Sequence, residues 1–331
     1  MPNYQINFDP PFNIVRLSHL EWIVTDLAYS KAYYVDLVGY HLEEETADSL
    51  YLRGMEELNH HSLILCKGDT PKVSYLAFKV FSEEDLDRAY DYFESLGQSV
   101  AWVERYKQGR TLKTTDPFGV PLELYYEMER AEDILQKYHL YHGARIQRID
   151  HFNLFHHDVN AATEFYVSQL GFRVTEATVI DKSDPDSPYM ATWMHRKGTV
   201  HDIAFTNGLG PRLHHVGVWM PSIQDIIHLC DSMASAGLRG SLERGPGRHG
   251  IANAFFLYIR DQDGHRLEPY VSDYQTVDPD HPARVWNLHD PMRQTLWGQA
   301  APRSWFELGS EFEGLTPQPA KLTAKPIIAP E

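Results

Sequence analysis

The chain has 331 residues, with 30 Lys and Arg against 46 Asp and Glu, a formal net charge of −16, and 43% of it is hydrophobic. At roughly 150 residues per domain the length suggests two domains; the acidity opposes general nucleic-acid binding, and the apolar share opposes a disordered chain. No apolar run approaches the ~20 residues of a membrane span, the start Met1-Pro2-Asn3-Tyr4-Gln5 lacks a signal-peptide layout, and two cysteines, Cys66 and Cys230, suit a reducing cytoplasm.

The chain repeats itself. Residues 16–46 (RLSHLEWIVTDLAYSKAYYVDLVGYHLEEET) align without a gap to residues 148–178 (RIDHFNLFHHDVNAATEFYVSQLGFRVTEAT), with eight of 31 positions identical. Each segment reads as a short strand carrying a histidine, a polar turn, and an amphipathic helix that stops at Gly39 or Gly171. A shorter phrase opens four segments: Arg16-Leu17-Ser18-His19, Lys72-Val73-Ser74-Tyr75, Arg148-Ile149-Asp150-His151 and Arg212-Leu213-His214-His215. Further apolar runs follow, such as Ser62–Cys66, Ala191–His195 and Ala254–Arg260.

This periodicity predicts an α+β protein of four βαβββ modules, paired into two tandem domains over residues 1–140 and 141–275. A polar, helix-favouring stretch, Glu127–Gly143, joins them. Residues 276–331 form an extension whose last dozen residues are expected to be loose. Its Trp286, Trp297, Trp305 and Phe306 predict packing against the body or a neighbour.

Comparing the domains singles out three positions. His151 and His215 hold the fourth place of the repeated phrase. A late hairpin, residues 261–268, matches residues 116–123 and puts Glu268 where the first domain has Glu123. The second domain therefore offers His151, His215 and Glu268, and the first offers His19, Tyr75 and Glu123. Two imidazoles and one carboxylate on one face of a metal are the ligand set of non-haem Fe(II) oxygenases. With Tyr75 as a weaker ligand, one metal is expected, in the second domain. Strand side chains alternate faces, so of His214 and His215 only His215 is expected to point inward. His60, His61, His156, His157, His281 and His289 receive no role.

Residues 249–268, His-Gly-Ile-Ala-Asn-Ala-Phe-Phe-Leu-Tyr-Ile-Arg-Asp-Gln-Asp-Gly-His-Arg-Leu-Glu, resemble the signature of type I extradiol ring-cleaving dioxygenases of the vicinal oxygen chelate superfamily. Glu243–Gly250, His201-Asp202-Ile203-Ala204 and His289–Arg293 extend the resemblance over nearly the whole chain. Two positions depart from the family pattern: Gln262 in the turn, and Pro269 after Glu268, which is expected to break strand pairing locally. An extra loop at about Asp181–Ser187 is expected to affect pocket access.

The resemblance implies ring cleavage of a catechol by O2 beside its hydroxyl pair, with Fe(II) or Mn(II) as cofactor. It implies a carboxymethyl catechol, 3,4-dihydroxyphenylacetate, as substrate; the alternatives are a dihydroxyphenylpropionate, an uncharged catechol, or a non-catalytic binding role. It assigns proton transfer to His201, hydrogen bonding of substrate and intermediate to Tyr258, and closure of the pocket to His249. Asn153, two residues past His151 on the same strand face, would touch substrate or oxygen. Arg244 and Arg293 would fork onto a substrate carboxylate, with Trp193 as a neutral donor. The family habit is a homotetramer.

Overall fold

The computed structural model describes residues 4, 6–278 and 280–324. Strands β1 (Ile14–Val24), β2 (His41–Glu45), β3 (Ser49–Arg53), β4 (Leu63–Lys67), β5 (Lys72–Val80), β6 (Ala101–Arg105), β7 (Gln108–Thr115) and β8 (Pro121–Tyr125) form one sheet, in the order β2-β3-β4-β1-β5-β8-β7-β6. The second sheet holds β9 (Arg148–His156), β10 (Arg173–Val179), β11 (Tyr189–His195), β12 (Ile203–Asn207), β13 (Arg212–Trp219), β14 (Leu242–Arg248), β15 (Phe255–Arg260) and β16 (Arg266–Val271). Its order, β10-β11-β12-β9-β13-β16-β15-β14, repeats the first. The extension adds β17 (Arg284–Asn287) beside β10 and β18 (Trp297–Gly298) beside β14, so it covers both edges.

Each module is a strand, a helix and three more strands. The helices are α1 (Leu27–Lys31, continuing at π-helical spacing through Ala32–Val38), α2 (Glu83–Ser95), α3 (Val159–Ser168) and α4 (Ile223–Ser235). Every one opens on a side-chain cap that satisfies a first-turn amide. Asp26 and Asp158 cap α1 and α3, while Ser82 and Ser222 cap α2 and α4. The repeat therefore reaches down to the capping residues. The predicted helix stops hold too: Gly39 has φ +93° and Gly171 φ +68°, and a Cβ on Gly39 would lie 2.3 Å from the Arg145 amide nitrogen.

Within each domain the two modules join through an antiparallel pair of opening strands, β1–β5 and β9–β13. Parallel partners flank each pair: β4 and β8 in the first sheet, β12 and β16 in the second. The first strand of every module thus lies at the centre of a curled sheet, most of its side chains shielded from water. The apolar core runs through both domains, from Trp22, Leu65 and Phe78 to Phe152, Val216 and Leu257.

One expectation changes. Glu127–Gly143 holds no α-helix, only a single 3-10 turn, Tyr138–Leu140, with simple turns and isolated bridges at Met128 and Arg130. Its backbone is claimed by tertiary bonds instead: Glu129 N donates to Lys107 O at 2.8 Å, Ala131 N to Leu58 O at 2.9 Å, and Glu129 O accepts from His60 N at 3.0 Å. Such pairings override helix propensity. At Pro269 the pairing with β13 holds (Val218 beside Pro269), but β15 pairs with β16 only on either side of it, at Phe256–Tyr270 and Ile259–Leu267, so the missing donor interrupts that ladder locally, as expected, without a change of register. The loop Asp181–Ser187 folds back on itself, Asp181 N donating to Ser187 Oγ at 2.9 Å, and its residues are not among those that line the main cavity.

The extension packs as expected over most of its length. Trp305 is buried and Trp286 donates to Glu176, whereas Trp297 is exposed. Most of the last dozen residues lie outside the described residues.

Candidate metal centre and catechol cavity

The three central strands β9, β13 and β16 bring His151, His215 and Glu268 together. Antiparallel pairing sets Gly217 opposite His151, and parallel pairing sets Gly217 beside Glu268. His151 Nε2 lies 3.2 Å from His215 Nε2 and 3.1 Å from Glu268 Oε2, and His215 Nε2 lies 2.9 Å from the same oxygen. Donors at right angles around one ion, each about 2.1 Å from it, would stand about 3.0 Å apart. The triangle therefore fits one face of an octahedron. Among the described residues these three form the one cluster of His, Cys, Asp and Glu with this convergence.

Neighbours orient both imidazoles. His151 Nδ1 donates to Asp150 Oδ2 at 3.1 Å, and the Tyr270 hydroxyl donates to the same oxygen. This leaves the lone pair of His151 Nε2 facing the centre. His215 Nδ1 meets Nδ1 of His214, whose Nε2 donates to Trp305 O at 2.6 Å. His214 thus stays out of the donor triangle, as expected. Yet it is as buried as His215, because a register shift between Leu213 and His215 interrupts strict alternation. At Gly217 a Cβ would fall 2.0 Å from His151 Cε1, so only glycine lets the ring sit there.

Electrostatics match a cation site. Burial raises the Glu268 carboxyl, but the surrounding His215, His151 and His249 outweigh it and hold it well below the usual carboxylate range. Burial, opposed by Glu268, pushes His215 down to about 4. Burial also lowers His151, but the bonds to Asp150 and Glu268 prevail and raise it. Metal binding there needs both imidazoles neutral and the carboxylate ionised, so it competes with protons.

A cavity of about 220 Å3 opens on the triangle, and its wall includes Asn153, Trp193, His201, His249, Tyr258 and Arg293. His201, between β11 and β12, lies with its ring 3.9 Å from that of His151 and its Nδ1 buried and unpartnered. Burial, then His151, hold it well below its ordinary pKa, so it is neutral. The Tyr258 hydroxyl and His249 Nε2 are 3.1 Å apart, while His249 Nδ1 donates to Gln294 O and the ring stacks on Phe256 at 3.7 Å. Burial, then Glu268, push Tyr258 well above its ordinary pKa, so it stays a phenol donor. Asn153 Oδ1 accepts from Thr206 at 3.3 Å.

The two arginines differ. Arg293, on the short helix α5 (Pro291–Gln294), reaches the cavity with Nε buried and unpartnered. Arg244 does not line the cavity. It lies one layer behind, its guanidinium 4.8, 5.5 and 4.9 Å from the ring centres of Phe256, Tyr258 and Trp305, with Nη2 donating to Gln294 O and Thr295 Oγ1.

In the first domain His19, Tyr75 and Glu123 occupy the equivalent strands β1, β5 and β8. There the Arg105 guanidinium takes the carboxylate, Nε lying 3.0 and 2.9 Å from the two Glu123 oxygens, and it sits 5.2 Å over the Tyr75 ring.

Residues 16–124 and 148–268 match the profile of the Glyoxalase/Bleomycin resistance protein/Dioxygenase superfamily, and the chain belongs to that superfamily. Within it the chain is an extradiol ring-cleaving dioxygenase. A solved extradiol ring-cleaving dioxygenase from B. fuscum superposes with a TM-score of 0.90 at 39% identity, over 97% of this chain and 91% of that one. The anaerobic complex of homoprotocatechuate 2,3-dioxygenase from Brevibacterium fuscum with 3,4-dihydroxyphenylacetate gives a TM-score of 0.87 at 41% identity, over 93% of this chain and 96% of that one. Among curated proteins, a manganese-dependent 2,3-dihydroxybiphenyl 1,2-dioxygenase from Geobacillus genomosp. 3 is 28% identical, over 86% of this chain and 93% of its own length. A metapyrocatechase from Geobacillus stearothermophilus is 27% identical, over 97% of this chain and 99% of its own length.

Proposed function

We propose that the chain cleaves 3,4-dihydroxyphenylacetate with dioxygen to 5-carboxymethyl-2-hydroxymuconic semialdehyde, a step of aromatic catabolism. Arg293 carries the proposal. It is a buried cation in the cavity wall whose hydrogen bonds among the described residues go to Thr178 Oγ1 at 3.4 Å and Leu288 O at 3.5 Å, neither of them a carboxylate. Burial, then Arg244, push its pKa down to about 10, so it is still charged at neutral pH. A buried charge left unpaired is costly. A substrate carboxylate relieves that cost at the far end from the metal ligands, and Arg244 adds positive charge from behind. The substrate in the similar B. fuscum complex supports the same choice.

In this reading His151, His215 and Glu268 hold Fe(II) or Mn(II). A divalent ion bound there would supply Lewis acidity and one-electron chemistry. His201, neutral and with a free ring nitrogen, takes a catechol proton and returns it later. Tyr258 donates to a substrate oxygen, held in place by His249, which closes that side of the pocket. Asn153 and Trp193 add polar contacts along the ring, and the apolar remainder of the wall excludes water.

Residues 1–140 act in this reading as a domain without metal, residues 141–275 as the catalytic domain, and residues 276–331 as its cover. Among the described residues no helix is long and apolar enough to cross a membrane. A homotetramer, by family resemblance, in the cytoplasm completes the proposal, with neither nucleic acid nor membrane as partner.

The test is oxygen uptake and yellow product with 3,4-dihydroxyphenylacetate, a dihydroxyphenylpropionate and unsubstituted catechol. The highest kcat/KM is expected for 3,4-dihydroxyphenylacetate. An equal or higher value for unsubstituted catechol would contradict the proposed substrate.

A further inference from the structure

We infer that Lys197 is a positioning residue for His201, and that the first domain braces it through Asp202. The inference rests on the reading of His201 as the proton-transfer group. Lys197 lies in the turn from β11 to His201. Its Nζ donates to the carbonyl of His201 at 2.7 Å and to the carbonyl of Asp150. The same ammonium faces Asp202 Oδ1 at 3.3 Å and Asp150 Oδ1 at 3.7 Å. One cation therefore ties the residue before the ligand His151 to the backbone of His201, on the side away from the cavity.

That tie sets where the His201 ring lies against His151. Without the ammonium, two carbonyl oxygens lose their common donor, and two fully buried carboxylates lose their shared counter-charge. The His201 turn then has reason to move away from β9, and a proton-transfer group displaced by about 1 Å can lose rate on the order of a hundredfold.

Asp202 completes the brace. Its Oδ2 accepts from the amides of Arg196 at 2.7 Å and Lys197 at 3.0 Å, and its Oδ1 accepts from the amide of Leu17, on β1 of the first domain, at 2.8 Å. Its own backbone is held by Met194 O and Phe152 N, at 2.8 and 2.9 Å. Lys197 does not line the catechol cavity; it borders a separate hollow between the domains, with Arg16, Leu17 and Thr199. It therefore acts on turnover only through the groups it holds, His201 and Asp150, and the metal and catechol affinities report on the second of these.

The test compares the metal-loaded parent with Lys197→Met, Lys197→Arg and His201→Asn. Four quantities are read: metal per chain, anaerobic dissociation constant for 3,4-dihydroxyphenylacetate, rate of the catechol-bound enzyme with oxygen, and hydrogen exchange across residues 195–203. Lys197→Met is expected to keep metal and catechol affinity within about twofold, to slow the oxygen step roughly tenfold to a hundredfold, and to speed exchange in that segment. Lys197→Arg should restore most of the rate. An oxygen step unchanged by Lys197→Met but slowed by His201→Asn overturns the positioning role alone. No effect of His201→Asn overturns the reading of His201 and the positioning role with it. Loss of metal or catechol binding in Lys197→Met also overturns it, because the lysine would then support the whole site. Should Lys197→Met not fold, Lys197→Gln carries the same comparison.

Discussion

The Tyr34 hydroxyl donates to Asp261 Oδ2 at 2.8 Å, so the first module's helix secures the turn that launches the strand bearing Glu268. Its repeat counterpart, Tyr166, donates to Asp116 Oδ2 at 3.3 Å, at the matching turn of the other domain. Each domain thus holds the other's Asp-x-x-Gly turn. Tyr34→Phe leaves a buried carboxylate without that donor and should cost about 1–3 kcal/mol of stability, more than Tyr166→Phe with its longer bond. Denaturant unfolding of both variants checks this, and equal stability of Tyr34→Phe and the parent would contradict it.

The turn in the first domain also makes stability depend on pH. Burial, only partly offset by bonds from Val120 N, Phe118 N and Tyr166, pushes Asp116 up to about 7. An acid whose folded value exceeds its unfolded value, about 3.9, stabilises fully below the unfolded value and loses that contribution as pH rises through the folded one. Asp116→Asn, which keeps the oxygen accepting from Phe118 and Val120, should flatten the fall in Tm between about pH 4 and 7. Parallel Tm curves for parent and variant would sink this assignment.

At the centre, Gly217→Ala is the smallest change expected to remove the metal. The added methyl would overlap the His151 ring, which cannot retreat because Asp150 and Tyr270 hold its far side. Elemental analysis should find metal content well below half that of the parent, with folding retained by circular dichroism. Parent-level metal would show that the ring has room to move.

Substrate charge is read at Arg293. Arg293→Met removes the cation while keeping an apolar chain of similar reach. It should raise KM for 3,4-dihydroxyphenylacetate roughly tenfold to a hundredfold, the worth of a charge-assisted hydrogen bond, and change KM for unsubstituted catechol little. Equal shifts for both substrates would remove Arg293 from carboxylate recognition.

The parts legible in the sequence are those the repeat carries. His151 and His215 stand at corresponding places in modules three and four, and Glu268 stands where module two has Glu123, so comparing frames found them without a register. Gly39 and Gly171 announce their helix ends in the same way. What stayed hidden depends on pairing across strands and domains. Gly217 matters because antiparallel register sets it opposite His151, and an antiparallel count from His215 and Asn153 would have found it. Asp150, Lys197 and Asp202 look like ordinary surface charges until the turn from β11 folds over β9. Arg244 carries the family's motif, yet its strand turns it behind Tyr258 and not into the cavity. Glu127–Gly143 has helical composition, but its amides find partners on Lys107 and Leu58 instead.

The most direct measurement of the central claim is metal content, comparing the purified parent with His215→Ala and Glu268→Gln. One iron or manganese per parent chain is expected, with little in either variant, because each removes one corner of a triangle whose sides are 2.9–3.2 Å. Equal metal in parent and variants would mean that the ion, and the chemistry built on it, resides elsewhere.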